Sequence, residues 1–324
     1  MYTIKILLRF TAALAVFACI SATLVETKNP DTALKAINGY RLKAFRDAQS
    51  SGKQIDLMAI NAEVTKMATD AIDGVEVDKV EPSTAYSWAR LFSMAGRHKE
   101  ACDLCAKYVA TNPDAQEKFD AQILMLTSCN NLGEGKMLAA TLPEITAPSV
   151  EASQSLLQGV VGTYADTIYK DMGLDAALKA IDKVMGQVKF EKPEDYAARM
   201  LPNFKKQNLR TADGSPLTDE QVKAFLVAQG RSLESSLEYQ VADEKASLYK
   251  KAGKEDQGLA VLKKFVADHD AKDPYVPLAN KKIAQVEMIG APSVPLKYDR
   301  KYGDFNGLDQ WLGKVVIIEF TAHW

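Results

Sequence analysis

The fold is decided by the stretch from Trp88 to Pro113, which reads WARLFSMAGRHKEACDLCAKYVATNP. Its apolar residues recur every three or four positions, which is the period of an amphipathic α-helix. Gly96 interrupts this period, and glycine is favoured where a helix ends in the left-handed backbone conformation. The small residue Ala101 stands where a second helix would cross the first closely. The stretch therefore predicts two helices packed as a hairpin.

This arrangement resembles the helix pair of tetratricopeptide repeats, in which an aromatic residue, a turn glycine and a closing proline recur. An aromatic residue followed four positions later by glycine returns at Tyr169 and Gly173, and at Tyr249 and Gly253. Gly133 has the same spacing, but the residue four positions before it is Cys129, which is not aromatic. The intervals are 37 residues from Gly96 to Gly133 and 40 from Gly133 to Gly173, and the 80 residues from Gly173 to Gly253 are twice 40. These intervals fit repeats of about 34–45 residues. We therefore predict a divergent array of stacked helical hairpins, and an irregular helical bundle with glycine at its turns is the alternative.

The helical period continues on both sides of this stretch, from Asp31 to Ile289. The composition changes near residue 290, where two prolines break the pattern in GAPSVPL, residues 290–296. Residues 314–320, KVVIIEF, are apolar and rich in β-branched side chains, as expected of a buried strand. These changes predict a helical domain over residues 23–289 and a domain boundary near 290.

Residues 290–324 resemble the start of the TlpA-like, redoxin-type branch of the thioredoxin superfamily. That branch opens with a Gly/Ala-Pro lead-in, a Leu-Gly-Lys turn and a hydrophobic strand that ends in Phe-x-Ala-x-Trp. The corresponding pieces are Gly290-Ala-Pro292, Leu312-Gly-Lys314 and Phe320-Thr-Ala-His-Trp324. The resemblance implies a chain that is mainly α and ends in the first strands of a truncated thioredoxin-like α/β domain. Because a Cys-x-x-Cys pair follows this strand in the family, we expect the chain to stop one residue before its nucleophile.

The resemblance assigns roles to two residues of this segment. Glu319 interrupts an apolar strand, and burying a carboxylate is costly unless it is paired or protonated. In many thioredoxin-like proteins an acidic residue at this position lies beneath the cysteine pair and accepts the proton of the second thiol. Glu319 is therefore a candidate catalytic residue, and a glutamate at a strand edge with its carboxylate in water is the alternative. Trp324 would be adjacent to the missing nucleophile and would shield it.

A second Cys-x-x-Cys, formed by Cys102 and Cys105, lies inside the helix predicted to begin near His98. Thioredoxin-type pairs open a helix after a strand, so we interpret these two cysteines as buried structural residues. His98 shares their helical face, and Cys129 is a candidate fourth ligand or disulfide partner. A metal site and a disulfide thus stay open as alternatives, although we predict neither metal nor cofactor. His269 is interpreted as a solvated helix end.

The N-terminus predicts export from the cytoplasm. Lys5 and Arg9 precede an apolar run, residues 10–25, that is rich in small side chains and shorter than the ~20 residues of a membrane span. Residues 1–22 therefore read as a signal peptide, which places the mature protein in the periplasm or outside the cell. A loose lipobox that ends at Cys19 would instead leave a lipid anchor.

The composition and the motifs argue against several classes of function. The chain has 40 basic and 42 acidic side chains, which argues against nucleic-acid binding. Phosphate-binding glycine loops and His-Glu-x-x-His zinc motifs do not occur. The sequence thus predicts the N-terminal portion of an exported thiol-disulfide oxidoreductase, inactive without its catalytic cysteines. Its partners would be protein disulfides or dithiols, with protein contacts made by the helical domain. The alternative is a secreted helical-repeat binding scaffold without enzymatic activity.

Overall fold

A computed structural model describes residues 29–52, 54–205, 215–288 and 311. The α-helices in these ranges are α1 (Pro30–Ser51), α2 (Leu57–Ile72), α3 (Ala85–Met94), α4 (His98–Val109), α5 (Ala115–Leu132), α6 (Gly135–Thr141), α7 (Val150–Gly159), α8 (Ala165–Met172), α9 (Leu174–Met185), α10 (Pro193–Lys205), α11 (Asp219–Lys251), α12 (Glu255–Asp268) and α13 (Val276–Glu287). No strand occurs in the described residues, so the prediction of a mainly α chain is confirmed for them. The predicted signal peptide, the boundary near 290 and the predicted strands lie outside those residues.

The described helices form two compact units, which divide between Phe190 and Glu191. The sequence predicts a single helical domain over residues 23–289, because the helical period continues on both sides of this point. Short 3-10 turns connect several helices of the first unit, at Val77–Lys79, Pro82–Thr84 and Leu142–Glu144.

The helix pair predicted between Trp88 and Pro113 is present as α3 and α4, which pack against each other. Gly96 lies between them with a φ of +78°. The backbone N–H of Arg97 donates to the carbonyl of Phe92 at 2.9 Å, which closes the turn characteristic of a glycine helix end. The same bond joins Glu134 to Cys129 at 3.0 Å around Gly133, and Lys254 to Tyr249 at 2.9 Å around Gly253. The residue four positions before each glycine is therefore the one whose carbonyl accepts this bond.

The core of the first unit is built from the faces that α1 to α4 turn toward one another. Phe92 and Ala101 are fully buried, as the close crossing of α3 and α4 requires. Their cluster also contains the following buried residues: Leu34, Ile37, Ile60, Val64, Ala68, Ile72, Trp88, Leu91 and Leu104. Removing these apolar surfaces from water is the main contribution to the stability of this cluster.

The end of the first unit contains a long helix with an irregular middle. A π-helical turn, Val160–Tyr164, joins α7 to α8, and such turns rotate the following side chains relative to a regular helix. A Cβ on Gly159 would lie 3.0 Å from the Tyr164 ring, so a side chain at this position would press against the ring. Tyr164 thereby reaches α5, where its hydroxyl lies 3.2 Å from the Thr127 hydroxyl.

The second unit is organised by the long helix α11. Thr218 begins α11 with a capping box, in which its hydroxyl accepts from the Gln221 N–H at 3.2 Å. α10 packs on the first half of α11 through a small cluster that includes Ala197 and Leu226. α12 packs on its second half and α13 packs on α12, and the three helices share a cluster in which Phe265 is buried. None of the helices in the described residues is long and apolar enough to cross a bilayer.

Candidate functional site

The two residues predicted to carry redox chemistry, Glu319 and Trp324, lie outside the described residues. In the described residues, two features bring together side chains that could react or bind a ligand. One is a groove across the first unit, and the other is a cluster of sulfur atoms between α4 and α5.

The groove runs across α3, α5 and the end of α7, which are the first helices of three successive helix pairs. It encloses about 440 Å³, which is within the usual range of ligand sites. Its lining residues are Tyr86, Arg90, Ser93, Met94, Phe119, Asp120, Ile123, Leu124, Thr127, Ser155, Leu156, Gly159 and Tyr164. The lining is thus an apolar floor with a few polar groups, a composition that suits a polypeptide better than a highly charged ligand.

One end of the groove is held rigid by aromatic contacts. The Tyr86 ring stacks on Tyr108 with centroids 5.4 Å apart, and the Arg90 guanidinium carbon lies 6.0 Å from the Tyr86 ring centroid. Burial raises the pKa of Tyr86, and the Asp120 carboxylate raises it further. The Tyr86 phenol therefore stays protonated at neutral pH and is available as a hydrogen-bond donor.

The other end of the groove offers hydroxyls beside apolar side chains. Thr127 and Tyr164 present their hydroxyls 3.2 Å apart. Ile123 and Leu124, half-buried on α5, form part of the floor between the two ends. The groove therefore provides one cation, one anion and several hydroxyls around an apolar surface. Such a surface can take up apolar side chains while hydrogen-bonding a peptide backbone.

None of the sequence patterns predicted this groove. Tyr86 and Arg90 are four residues apart on α3, and Asp120, Ile123 and Thr127 recur at helical spacing on α5. Each set follows the ordinary period of a half-exposed helical face, so neither set stands out alone. The unexpected glycines Gly159 and Gly162, in the middle of a helical pattern, were the one local sign of the π turn.

The sulfur cluster joins two helices. The Sγ atoms of Cys102 on α4 and Cys129 on α5 lie 3.3 Å apart, and Cys129 Sγ donates to Met137 Sδ at 3.1 Å. Cys102 also donates to the carbonyl of Met125 at 3.6 Å. Both thiols are buried, and neither is in a disulfide.

The thiols differ in acidity because their surroundings differ. The contact between the two thiols lowers the pKa of Cys102. The same contact and burial raise the pKa of Cys129. Burial, together with the neighbouring Cys102, raises the pKa of Cys105 to about 12. The predicted burial of Cys102 and Cys105 is confirmed, with exposed fractions of 6% and 0%.

The predicted alignment of His98 with Cys102 and Cys105 on one face of α4 does not assemble a metal site. Among the described residues, no three His, Cys, Asp or Glu side chains are grouped closely enough to hold a metal ion. The Nδ1 atom of His98 is buried without a hydrogen-bond partner in this part of the chain. Helical spacing brings residues onto one face but does not bring their ligand atoms to one point.

The interpretation of His269 as a solvated helix end is wrong. His269 does follow α12, but its side chain is only 16% exposed. Its Nδ1 lies 2.8 Å from the Phe265 carbonyl, and its Nε2 lies 2.8 Å from the Glu238 carboxylate. Its ring stacks on that of Phe265 with centroids 4.1 Å apart. The acidic neighbours in Asp268-His-Asp270 suggested exposure, whereas packing against α11 decides the burial.

A scan of protein-family models and a search of curated proteins found no match to this chain.

Proposed function

We propose that this chain is the N-terminal portion of an exported thiol-disulfide oxidoreductase, whose helical region binds the protein on which the redox domain acts. The redox half of this proposal is supported by the sequence of residues 308–324, which predicts a turn and a strand of the kind that precedes a Cys-x-x-Cys pair. In such proteins a thiolate at a helix N-terminus attacks a substrate disulfide. Glu319 would accept the proton of the second thiol, and Trp324 would shield the first.

The helical half of the proposal is supported by the groove. Its walls come from the first helices of three successive pairs, as in a tetratricopeptide-like array that holds an extended polypeptide. The half-buried Ile123 and Leu124 would contact apolar side chains of the partner. Tyr86 and the hydroxyls of Thr127 and Tyr164 would hydrogen-bond its backbone. The groove is the single structural observation that carries the proposal.

A second function, a secreted binding scaffold without enzymatic activity, is favoured by one observation. Each described residue that lines the groove lies in the first unit, which is the part of the chain that a binding scaffold would need. The two functions differ in whether a thiol pair follows Trp324.

The redox half is tested by reading the gene beyond Trp324 and assaying the extended protein. We expect Cys-x-x-Cys directly after Trp324, followed by about 100 residues of strand and helix. The extended protein should accelerate the reduction of insulin by a dithiol, and a Cys→Ser variant of the residue after Trp324 should not. A stop codon at this point, or equal rates for the two proteins, would refute the oxidoreductase and leave the scaffold.

The binding half is tested with a probe that has no thiol, carboxymethylated insulin B chain. Ile123→Lys places a charge on the groove floor and should raise the Kd for this peptide about tenfold, a loss of ~1.4 kcal/mol. Leu132→Lys is the matched control, because Leu132 lies on the same helix, is 40% exposed and is outside the groove. The control should leave the Kd unchanged.

Circular dichroism and thermal unfolding must first show that both variants are folded. Equal Kd values for the two folded variants would refute the groove as the binding site. Because the probe cannot exchange disulfides, this result would not bear on the redox half of the proposal, which the insulin reduction assay tests.

A further inference from the structure

The sulfur cluster is separate from the groove, and the proposed function makes no use of it. Cys102 and Cys129 belong to different helices and are separated along the chain by 27 residues. Their exposed fractions are 6% and 1%, so both thiols lie inside the contact between α4 and α5. Two thiols that meet in a helix contact can be linked covalently without moving either helix far.

We propose that Cys102 and Cys129 form a disulfide that joins α4 to α5 when the protein is oxidised. The sulfur atoms are 3.3 Å apart, and a disulfide bond is about 2.05 Å long, so side-chain rotation and a small helix shift would close the remaining gap. The proposal rests on this geometry alone and is independent of the proposed function. Predicted export agrees with it, because disulfides persist in extracytoplasmic compartments.

Cys105, the third cysteine among the described residues, provides a comparison for Cys102 and Cys129. Cys105 lies on α4 one turn after Cys102 and is completely buried. Burial raises the pKa of Cys105 to about 12, so its thiolate, the form that attacks disulfides, is strongly disfavoured. Contact with the Cys129 thiol lowers the pKa of Cys102, so in the packed contact between α4 and α5 Cys102 is the more readily ionised thiol of the pair.

The reaction is a thiol-disulfide exchange with a small-molecule disulfide, here glutathione disulfide. The Cys102 thiolate attacks one sulfur of this oxidant, and one glutathione leaves and takes up a proton. Cys129 then loses its proton and attacks the Cys102 sulfur of the mixed disulfide, which releases the second glutathione as a thiol. Two electrons pass from the protein sulfurs to the oxidant, and the two protons end on the two glutathiones. Because both thiols are buried in the folded protein, exchange is fastest during folding.

The bond would stabilise the first unit by constraining its unfolded state. It closes a loop of 27 residues, from Cys102 on α4 to Cys129 on α5. Loop-closure entropy for such a loop lowers the unfolding equilibrium constant roughly 300-fold. The bond would also tie α5, a wall of the groove, to the helix pair that precedes it.

Peptide mapping of the full chain tests the proposal. The protein is refolded from urea with glutathione disulfide or with dithiothreitol, denatured in acid, and alkylated with iodoacetamide. Trypsin releases residues 100–107, which contain Cys102 and Cys105, and residues 119–136, which contain Cys129. Cleavage before aspartate then separates Cys102 from Cys105, because Asp103 follows Cys102 directly.

We expect the oxidised sample to contain residues 100–102 linked to residues 120–136, with Cys105 alkylated. The reduced sample should contain only alkylated cysteines. A link through Cys105 or Cys19, glutathione adducts without a protein link, or full alkylation after oxidation would each overturn the proposal.

Variants provide a second measurement on the folded protein. Oxidation should raise the urea midpoint of the first unit in the wild type and in the Cys105→Ala control. It should not raise the midpoint in Cys129→Ala. If oxidation shifts the midpoint of Cys129→Ala as much as that of the wild type, the assignment of the pair is refuted. The peptide map of the wild type remains decisive should a variant fail to fold.

Discussion

Gly96 shows how one residue ends a helix and begins the turn between α3 and α4. Its φ of +78° is in the left-handed region, where a Cβ atom crowds the backbone. Nothing lies within 4 Å of the position that a Cβ on Gly96 would occupy, so the neighbours leave room for a side chain. Glycine is therefore required here by the backbone conformation alone.

Gly96→Ala should lower the free energy of unfolding by about 1–2 kcal/mol, which is the cost of the left-handed conformation for alanine. The control is Gly39→Ala, in the middle of α1, where a Cβ also meets nothing within 4 Å. This control should raise stability by about 0.5–1 kcal/mol, because alanine is a better helix former than glycine. Urea unfolding measures both changes. Destabilisation of equal size in the two variants would contradict the argument.

His269 predicts a pH dependence of stability. Partial burial disfavours the charged ring and lowers its pKa, but the Phe265 carbonyl and the Glu238 carboxylate together raise the pKa above its ordinary value. A raised pKa in the folded state means that the charged ring stabilises the fold. This stabilisation is complete below about pH 6.5, the ordinary histidine value, and is lost as the pH rises through the folded pKa.

The measurement is the pKa of His269 from NMR titration, together with the urea midpoint of the second unit at each pH. Glu238→Gln removes the negative charge and should lower the pKa of His269 and flatten the pH dependence. His269→Gln assigns the resonance and should remove the dependence on pH in this range. A pKa at or below the ordinary value in the wild type would contradict the role of Glu238.

At the scale of elements, glycine also sets how closely α11 and α12 approach. A Cβ on Gly258 would lie 2.9 Å from the Ala246 carbonyl oxygen and 3.2 Å from the Ala246 Cα. The obstacle is the backbone of a neighbouring helix, which cannot turn aside as a side chain can. The close crossing of these helices thus depends on the absence of a side chain at this position.

Gly258→Ala should therefore destabilise the second unit by about 1–3 kcal/mol, the usual cost of overpacking. Gly186→Ala is the matched control, because its φ is −66° and its nearest contact would be 3.4 Å away. Thermal unfolding followed by circular dichroism should show a lower midpoint for Gly258→Ala and little change for Gly186→Ala. An unchanged midpoint for Gly258→Ala would mean that the two helices separate without cost.

The helix ends were predictable because their cause is local. At Gly96 and at Gly133, the residue after the glycine donates its N–H to the carbonyl of the residue four positions before the glycine. This spacing is visible in the sequence. The single helix α11 was less predictable, because α10 packs on its first half and α12 packs on its second half. Its buried positions therefore do not follow one stripe, and the helical period is blurred over its length.

For the whole molecule, the candidate sites were not predictable from local patterns, because both depend on which helix faces meet. The groove combines Tyr86, Asp120 and Tyr164, and no spacing rule brings these three together. The sequence left Cys129 as a candidate partner of either Cys102 or Cys105, and the packing of α4 on α5 places its sulfur 3.3 Å from that of Cys102. A pattern identifies candidate residues, and the packing of helices decides which of them form a site.

The division of the chain into two units predicts that the first unit folds and binds alone. Each unit has its own buried cluster, and every residue that lines the groove precedes Phe190. A fragment of residues 29–190 should unfold cooperatively and bind carboxymethylated insulin B chain with a Kd within about twofold of the full chain. A fragment of residues 29–148 lacks α7 and the π turn and should bind at least about tenfold more weakly. Circular dichroism and fluorescence anisotropy measure the two properties. A longer fragment that is unfolded, or that is folded but does not bind, would show that the groove depends on residues beyond Phe190.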